Sequence, residues 1–166
     1  IKQLIVGGAP VDSSLRRALA ELSVHASETY GMTETITHIA VKRINAESTS
    51  YFEALPNVAV SLDDRGCLVI DASNISDEKI ITNDLVELIG ENQFNWLGRY
   101  DSIINSGGVK LVPEKIEDKL SSLIQSRFFV AGLPDDTLGQ KLILIVEDES
   151  VNNGKLLQAI KQLKSL

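Results

Sequence analysis

The first 30 residues carry the pattern that most restricts the fold, because two short strands flank one amphipathic helix. Leu4-Ile5-Val6 is predicted as a buried strand that ends in a turn at Gly7-Gly8, and Val24-His25-Ala26 as a second strand. A helix starts near Asp12, and its predicted inner face is Leu15, Ala18, Leu19 and Leu22. A strand–helix–strand unit of this length joins parallel strands, so we expect the edge of a parallel α/β sheet over residues 1–37.

Short apolar runs alternate with turns from residue 38 to residue 98. Val58, Val60 and Leu62 precede a turn at residues 63–66, and a second apolar run follows it. Residues 85–89 and 94–97 flank Gly90-Glu91-Asn92 as a second hairpin. We therefore predict a small antiparallel, barrel-like section over residues 38–98.

A third hairpin opens the last section, where residues 102–104 and 109–111 flank Asn105-Ser106-Gly107-Gly108. Pro113 suits the first position of a helix, whose predicted apolar face is Ile116, Leu120, Leu123 and Ile124. Two strands follow, at residues 127–133 and 141–147, and a last helix follows Asn152-Asn153. The fold class is thus α/β plus α+β, with a small α+β lobe over residues 102–166 and a hinge at residues 99–101.

Composition and charge exclude several classes of function. The 23 acidic residues outnumber the 16 basic ones, and the net charge of −7 argues against nucleic acid or an anionic membrane as a partner. No stretch approaches the ~20 apolar residues of a membrane-spanning helix. The single cysteine, Cys67, excludes an intramolecular disulfide, and we expect a buried, inert thiol in a cytoplasmic protein.

Both ends of the sequence fall inside predicted elements. Ile1 stands in an apolar run without an initiator Met, and no stop signal follows the helical spacing of the last residues. The periodic residues there are Leu156, Leu157, Ile160, Leu163 and Leu166. We expect a fragment of a longer protein, and the alternative is a processed, self-contained domain.

Four short segments carry side chains suited to a nucleotide. Gly7-Gly8-Ala9-Pro10 follows a strand, where open α/β sheets bind ligands. Residues 30–35, in a predicted loop over residues 28–37, offer a ring for a base, hydroxyls for phosphate and a carboxylate for Mg²⁺. Thr82-Asn83-Asp84 places a carboxylate at a predicted strand end, within reach of ribose hydroxyls. Charges at residues 98–101 and the bare backbone of the third hairpin form the fourth segment.

Each segment alone also fits an ordinary structural role. A strand-to-helix turn, a polar loop over a packed tyrosine, a capping aspartate and a solvated linker explain the four segments equally well. His25 is predicted as a packed strand residue, whereas His38 either lines a pocket or packs. The sequence contains no arrangement typical of a Ser–His–Asp nucleophile or of a tight metal site.

Together and in this order, the segments resemble the adenylate-forming superfamily of acyl- and aryl-CoA ligases, firefly-type luciferases and peptide-synthetase adenylation domains. Residues 30–34 match its YGxTE loop, residues 82–84 resemble its TGD motif, and residues 98–117 resemble its GRxDDxIKxxGxxxxPxEIE block. The string YGMTETITHIAVKRIN is similar to the o-succinylbenzoate–CoA ligases of menaquinone biosynthesis. Asn83, Ser102 and Asn105 depart from these motifs without removing an implied ligand.

The resemblance implies a ligase that uses ATP, Mg²⁺ and CoA on a small-molecule carboxylic acid, with o-succinylbenzoate as the expected acid. Thr33 and Glu34 are its implied catalytic residues, and Glu34 is the implied Mg²⁺ ligand. Asp101 is the implied hinge, and Gly107 and Gly108 are implied to approach CoA. The implied nucleotide-binding residues are Gly8, Ala9, Pro10, Tyr30, Thr33, Asp84 and Arg99.

Other readings stay open at this point. The family's phosphate loop and its C-terminal catalytic lysine lie outside these residues, so we expect the isolated fragment to be inactive. An adenylating enzyme with another acid or a carrier-protein acceptor is one alternative, and a non-catalytic nucleotide-binding module is another. Association into a homo-oligomer is also left open by the sequence.

Overall fold

The computed structural model describes residues 1–45, 47–147 and 154, in two compact units, Ile1–Trp96 and a second that begins at Leu97. The elements of the first unit are β1 (Gln3–Val6), α1 (Ser13–Ala20), β2 (His25–Gly31), β3 (His38–Arg43), β4 (Phe52–Ala54), β5 (Ala59–Leu62), β6 (Cys67–Asp71), β7 (Ile80–Gly90) and β8 (Gln93–Arg99), whose last residues start the second unit.

All eight strands belong to one mixed sheet in the order β1-β2-β3-β4-β8-β7-β6-β5. β1 and β2 are parallel, as the predicted strand–helix–strand unit requires, and the pairs from β2 to β4 and from β5 to β7 are antiparallel. The predicted α/β and antiparallel sections are therefore continuous. The fold class predicted from the sequence is confirmed, and the sheet is open, with β1 and β5 at its ends.

Helix α1 begins where its capping residue predicts. The Asp12 carboxylate accepts hydrogen bonds from the Ser14 hydroxyl and from the backbone N–H groups of Leu15 and Ser14, and these bonds lower the pKa of Asp12. Only Leu19 of the predicted inner face is buried, because α1 covers a narrow strip over Ala26 and Ile44. The prediction of a wider buried face was wrong.

β1 also differs from its prediction as a buried strand. Ile5 is 55% exposed, and Leu4 and Val6 are half-buried against the same small cluster as Leu19. The cause is its place at the end of the sheet, where a single strand, β2, pairs with it.

The main core is formed by apolar residues of strands β3 to β8 and of the segments beside them. Its members below 1% exposure are Ile39, Ala40, Leu68, Ile70 and Phe94. Cys67 is fully buried in β6, as predicted. Both predicted hairpins of this section are present, β5–β6 and β7–β8.

The second unit packs one helix on a four-stranded sheet. Its elements are β9 (Ile104–Ser106), β10 (Val109–Leu111), α2 (Pro113–Leu120), β11 (Phe128–Asp135) and β12 (Gly139–Val146), with the sheet order β10-β9-β12-β11. Pro113 occupies the first turn of α2, as predicted. Ile116, Leu120 and Ile124 are buried against the sheet. The helix ends at Leu120, before the predicted Leu123 and Ile124, and Leu123 is exposed.

The turn of the third hairpin is shorter than predicted. Asn105 and Ser106 belong to β9, so the turn of the third hairpin consists of Gly107 and Gly108 alone. The helix predicted after Asn152-Asn153 lies outside the described residues. No helix within residues 1–45 and 47–147 is long and apolar enough to cross a bilayer.

Candidate functional site

Tyr30 lies in strand β2 rather than in the predicted loop. β2 continues to Gly31 because both of its edges are paired, with β1 at Val6↔Glu28 and with β3 at Tyr30↔Ala40. The connection between β2 and β3 is therefore only residues 32–37. Strand pairing thus fixes the backbone of Tyr30 and holds it in the sheet.

Gly31 is required by a close approach of the backbone. A Cβ atom at this position would lie 2.5 Å from the Thr37 carbonyl oxygen and 2.7 Å from the Cα atom of His38. The β2–β3 register shifts at the same place, between Tyr30 and Gly31. The glycine of this motif therefore has a structural reason that is independent of any ligand.

Thr35 stabilises the connection between β2 and β3 by hydrogen bonds to both of its ends. Its side chain is fully buried, its hydroxyl oxygen accepts the N–H of Met32 at 3.0 Å, and it lies 2.7 Å from the Thr37 carbonyl oxygen. This turn leaves Thr33 and Glu34 exposed on a single 3₁₀ turn, Thr33–Thr35. Thr33 and Glu34, the implied phosphate and Mg²⁺ ligands, are thus exposed on a turn that the hydrogen bonds of Thr35 hold in place.

Ile36 follows this turn in a strained conformation. Its φ is +63°, in the left-handed region that β-branched residues rarely adopt, and its side chain is 82% exposed. Such strain costs about 1–3 kcal/mol and is concentrated at functional sites in proteins. No signal in the sequence distinguishes Ile36 from a buried apolar residue.

Asp84 brings two of the predicted motifs together. The Tyr30 hydroxyl donates to its Oδ2 at 2.6 Å, although the two residues are 54 positions apart in the sequence. The Trp96 indole Nε1–H donates to the other oxygen, Oδ1, at 3.0 Å. Asp84 is 5% exposed, so these bonds compensate for the burial of its carboxylate.

The position of Asp84 within β7 corrects a prediction. It lies in the interior of Ile80–Gly90 rather than at a strand end. Cys67 pairs with Leu85, and Val69 pairs with Ile81. An interval of two residues on β6 therefore faces an interval of four residues on β7, and Thr82-Asn83-Asp84 bulges out of the paired strands. A bulge changes the direction of a side chain within a sheet, and it is common beside active sites.

Arg65 holds this bulge in place. Its guanidinium donates to the Thr82 carbonyl oxygen at 2.9 Å and to Asn83 Oδ1 at 2.8 Å, and the Asp63 carboxylate orients it. Partial burial acts to raise the pKa of Asp63, but hydrogen bonds from Cys67 N–H and from Arg65 outweigh it and place that pKa below its ordinary value. Asn83, which departs from the family motif, therefore has a defined contact.

An aromatic cluster supports the ring of Tyr30. Phe94 meets it edge-on with 5.3 Å between the ring centroids, and Phe52 lies at 5.9 Å. Tyr30 itself is half-buried, with its hydroxyl on Asp84. The ring is thus held in one orientation by packing on one side and by a hydrogen bond at its end.

The glycine-rich segment after β1 is fixed at both ends. A Cβ atom on Gly7 would lie 2.3 Å from Thr29 Oγ1, so a larger residue there would displace the Thr29 side chain. Glu28, which is 6% exposed, accepts the Val11 N–H at 3.0 Å and pairs with Arg16 of α1. Between these anchors, Gly8, Ala9 and Pro10 are exposed, and Gly8 has a φ of +93°.

The predicted site residues of the second unit have their own contacts. Arg99 forms a two-pronged pair with Asp101, Nε to Oδ1 at 3.0 Å and Nη2 to Oδ2 at 2.9 Å, and both side chains are largely exposed. Gly98 has a φ of +141°, and a Cβ atom there would lie 2.6 Å from Val112 Cγ1, so the conformation and the close approach both favour glycine.

Gly107 and Gly108 form the two-residue turn between β9 and β10. Their φ values of +59° and +83° are typical of the tight turns that join antiparallel strands. Both are exposed, and a Cβ atom on Gly108 would meet nothing within 4 Å. The turn therefore presents bare backbone beside open space.

The two histidines differ from each other in burial. His25 is exposed rather than packed, because the alternation of β2 buries Ala26 and Glu28 on the other face. His38 is half-buried, with its Nδ1 3.2 Å from Thr37 Oγ1. Within the part of the chain that the structure describes, no three His, Cys, Asp or Glu side chains cluster as a metal site.

Sequence reasoning missed two residues of this candidate site. Trp96 and Glu28 belong to predicted strands or loops without an assigned role, yet each has a buried or half-buried polar group with a partner. The hydroxyl of Thr35 was predicted to be available to phosphate, but Thr35 is fully buried and its hydroxyl is bonded within the connection. An available signal was the polar group itself, since a buried indole N–H or carboxylate requires a hydrogen-bond partner.

Comparison with known proteins finds similar solved structures. No protein-family model and no curated protein matches the chain. An acyl-CoA synthetase (AMP-forming)/AMP-acid ligase II-like protein from Dyadobacter fermentans is 37% identical, with a TM-score of 0.58 over 96% of this chain and 47% of that one.

Two further solved structures are similar at lower identity. The o-succinylbenzoate CoA synthetase MenE from Bacillus subtilis, in complex with the acyl-adenylate intermediate OSB-AMP, is 21% identical with a TM-score of 0.77, over 98% of this chain and 40% of that one. ATP-bound MatB from Rhodopseudomonas palustris is 20% identical with a TM-score of 0.77, over 97% of this chain and 39% of that one. The chain spans less than half of each structure, and its neighbours include AMP-forming acyl-CoA synthetases.

Proposed function

We propose that this chain forms part of the nucleotide site of an AMP-forming acid–CoA ligase. The observation that carries the proposal is the meeting of Tyr30 and Asp84 at 2.6 Å. An aromatic ring beside a buried carboxylate matches a nucleoside, whose base has a face for stacking and whose ribose has two hydroxyl donors. The 37% identity to an AMP-forming acyl-CoA synthetase-like protein supports the same reading.

The residues of the first unit take defined roles in this proposal. Tyr30 stacks on adenine, Asp84 accepts the ribose hydroxyls, and the exposed backbone of Gly8, Ala9 and Pro10 lines the base. Thr33, exposed on its 3₁₀ turn, donates to phosphate. The proposed roles of Tyr30 and Asp84 use groups that the contacts described above already hold.

Glu34 suits a magnesium ion that is shared with the nucleotide. Mg²⁺ in nucleotide sites is usually held by one or two carboxylates together with substrate phosphates, and one exposed carboxylate on the 3₁₀ turn fits that arrangement. When bound, Mg²⁺ neutralises phosphate charge during transfer. Glu34 supplies a charged oxygen next to the hydroxyl of Thr33.

The proposed reaction has two steps. An oxygen of the acid attacks the α-phosphorus of ATP, the bond to the β-phosphate oxygen breaks, and pyrophosphate leaves. The CoA thiolate then attacks the carbonyl carbon of the acyl-adenylate, and AMP leaves with the electron pair of the broken bond. The first step is needed because a carboxylate has no adequate leaving group.

The second unit contributes the change between the two steps. We propose Asp101 as the hinge, Arg99 as a nucleotide contact, and the Gly107-Gly108 turn as the surface that approaches the CoA arm. The open space beside Gly108 supports its proposed role, and the roles of Asp101 and Arg99 are proposed on the likeness of residues 98–117 to the ligase motif. Domain rotation between half-reactions is a common use of such a linker.

For the acid itself, we propose o-succinylbenzoate, on the likeness of residues 30–45 to its ligases and on the shared fold with MenE. A second candidate is another acid, because a coronafacic acid ligase from Pectobacterium brasiliense has a TM-score of 0.72 to the same chain. Pyrophosphate exchange by the natural protein that carries this sequence, against aryl and acyl acids, separates the candidates. Exchange with no acid of the panel would contradict the ligase assignment.

Nucleotide binding tests the site directly. We expect Asp84→Asn to weaken ATP binding by about tenfold or more, because an amide lacks the charge that strengthens a hydrogen bond from ribose. Asp64→Asn, at an exposed position of the β5–β6 turn, is the matched control. Equal ATP affinity of both variants, measured by calorimetry on folded protein, would remove Asp84 from the site.

A further inference from the structure

Trp96 is the half-buried side chain whose role the proposed function leaves unassigned. It follows Phe94 by two positions in β8, so both side chains lie on the core face of the sheet. β8 is the neighbour of β7 in the sheet, which brings the indole beside Asp84. The indole N–H is a donor with no acceptor capacity, so it can serve the carboxylate and cannot compete for a donor.

The two aromatic donors bind different oxygens of the same carboxylate. Trp96 Nε1–H holds Oδ1 at 3.0 Å, and the Tyr30 hydroxyl holds Oδ2 at 2.6 Å. Two anchors at the two oxygens fix the plane of the carboxylate, which one anchor alone leaves free to rotate. The direction in which Asp84 can accept a further hydrogen bond is therefore set by Trp96 as much as by Tyr30.

We infer that Trp96 is a positioning residue that orients the Asp84 carboxylate and thereby sets the preference of the site for nucleotides with ribose hydroxyls. The inference rests on the proposed nucleotide site. It adds a specificity role that a purely apolar residue at position 96 would not supply, since Phe or Val there would fill the core without donating to Oδ1.

The test measures the binding of two nucleotides to the wild type and to a Trp96 variant of the natural protein that carries this sequence. ATP and 2′,3′-dideoxy-ATP differ only in the ribose hydroxyls, so the dideoxy nucleotide is a matched control for general binding. Trp96→Phe keeps an aromatic ring and removes the donor. We expect it to weaken ATP binding about tenfold, by analogy with other residues that orient a binding group, and to leave dideoxy-ATP binding unchanged.

A second variant protects the test against a packing defect. 3-Benzothienylalanine in place of Trp96 keeps the size and shape of the indole and replaces the N–H by sulfur. We expect the same selective loss of ATP affinity in this variant, with an unchanged melting temperature. A loss that affects both nucleotides equally in the benzothienyl variant would overturn the inference, as would an unchanged ATP affinity in both variants.

The same measurements distinguish the role of Trp96 from the existence of the nucleotide site. A wild-type protein that prefers ATP over dideoxy-ATP, together with variants that keep this preference, overturns the role of Trp96 and leaves the nucleotide site intact. A wild-type protein that binds the two nucleotides equally, or binds neither, overturns the proposed site and the inference with it.

Discussion

Asn45 provides the sharpest test of how the first unit is held together. Its Oδ1 accepts the N–H of Ala26 at 2.9 Å, and its Nδ2 lies 2.6 Å from the Val24 carbonyl oxygen and 3.1 Å from that of Leu22. A third carbonyl oxygen, that of Leu19, lies at 3.4 Å. One amide thus ties the end of α1 and the start of β2 to the segment that follows β3.

The size of the effect follows from the number of bonds. An amide nitrogen has two hydrogens, so Nδ2 serves two of the three carbonyl oxygens well at one time. With the accepted bond, three hydrogen bonds depend on Asn45, at about 1 kcal/mol each. Asn45→Ala should therefore lower the free energy of unfolding by about 3 kcal/mol, a large fraction of the stability of a typical domain.

Asn45→Asp isolates the donated bonds. The carboxylate keeps the shape and the acceptor but turns a second oxygen toward carbonyl oxygens, so we expect a loss of about 2 kcal/mol or more at pH 7. These carbonyls favour the protonated form and should raise the pKa of the new carboxyl in the folded state. Because the folded state then binds more protons than the unfolded one, the deficit should shrink as the pH falls toward 4.

Urea unfolding of the 166-residue chain, followed by the fluorescence of its single tryptophan, Trp96, measures these changes in the first unit. Asn74→Asp is the control, because Asn74 is exposed and its replacement should change stability by less than about 0.5 kcal/mol. The reasoning is refuted if Asn45→Ala behaves like the control, or if the deficit of Asn45→Asp is the same at pH 7 and pH 4.5.

Two further predictions concern single positions. Gly31→Ala should destabilise the first unit by about 3 kcal/mol, because its Cβ would meet the Thr37 carbonyl oxygen at 2.5 Å. Gly8→Ala, in open space with a φ of +93°, should cost only about 1–2 kcal/mol. Equal losses of unfolding free energy in urea would contradict the steric argument at Gly31. The N–H groups of Leu138 and then Thr137 lower the pKa of Asp135. The ionised Asp135 carboxylate therefore stabilises the fold above about pH 4, and this stabilisation is lost as the pH falls through its folded pKa. The difference in unfolding free energy between wild type and Asp135→Asn should shrink in acid. A difference that stays constant with pH would refute this prediction.

Most of the fold could be predicted from local patterns. The cap at Asp12, the proline at the start of α2 and the turns at residues 63–66 and 90–92 are local signals, and the elements beside them lie where predicted. The continuity of the sheet could not be predicted, because it depends on β3 and β4 linking the parallel pair to the later hairpins. Periodicity describes one strand at a time and does not identify its neighbour.

The candidate site residues could be named from motifs, but their arrangement could not be predicted. The motifs containing Tyr30 and Asp84 were recognisable from the sequence, yet the contact between them needs strand pairing and a bulge. The bulge depends on Arg65, a turn residue that carries no motif, which reaches across to Thr82 and Asn83. Sequence distance hides such contacts because they form only when β6 and β7 are paired.

The burial of Asp84 explains why this site is built from aromatic donors. A carboxylate at 5% exposure loses most of its hydration when the chain folds, and that loss must be offset within the protein. Tyr30 and Trp96 supply a donor to each oxygen and at the same time complete the apolar core around Phe94. The carboxylate is thus desolvated and oriented during folding, so a nucleotide that binds there would not have to order it. If Asp84 is the ribose ligand, the entropy of orienting it has been lost before the ligand arrives, which is the condition for a selective hydrogen bond.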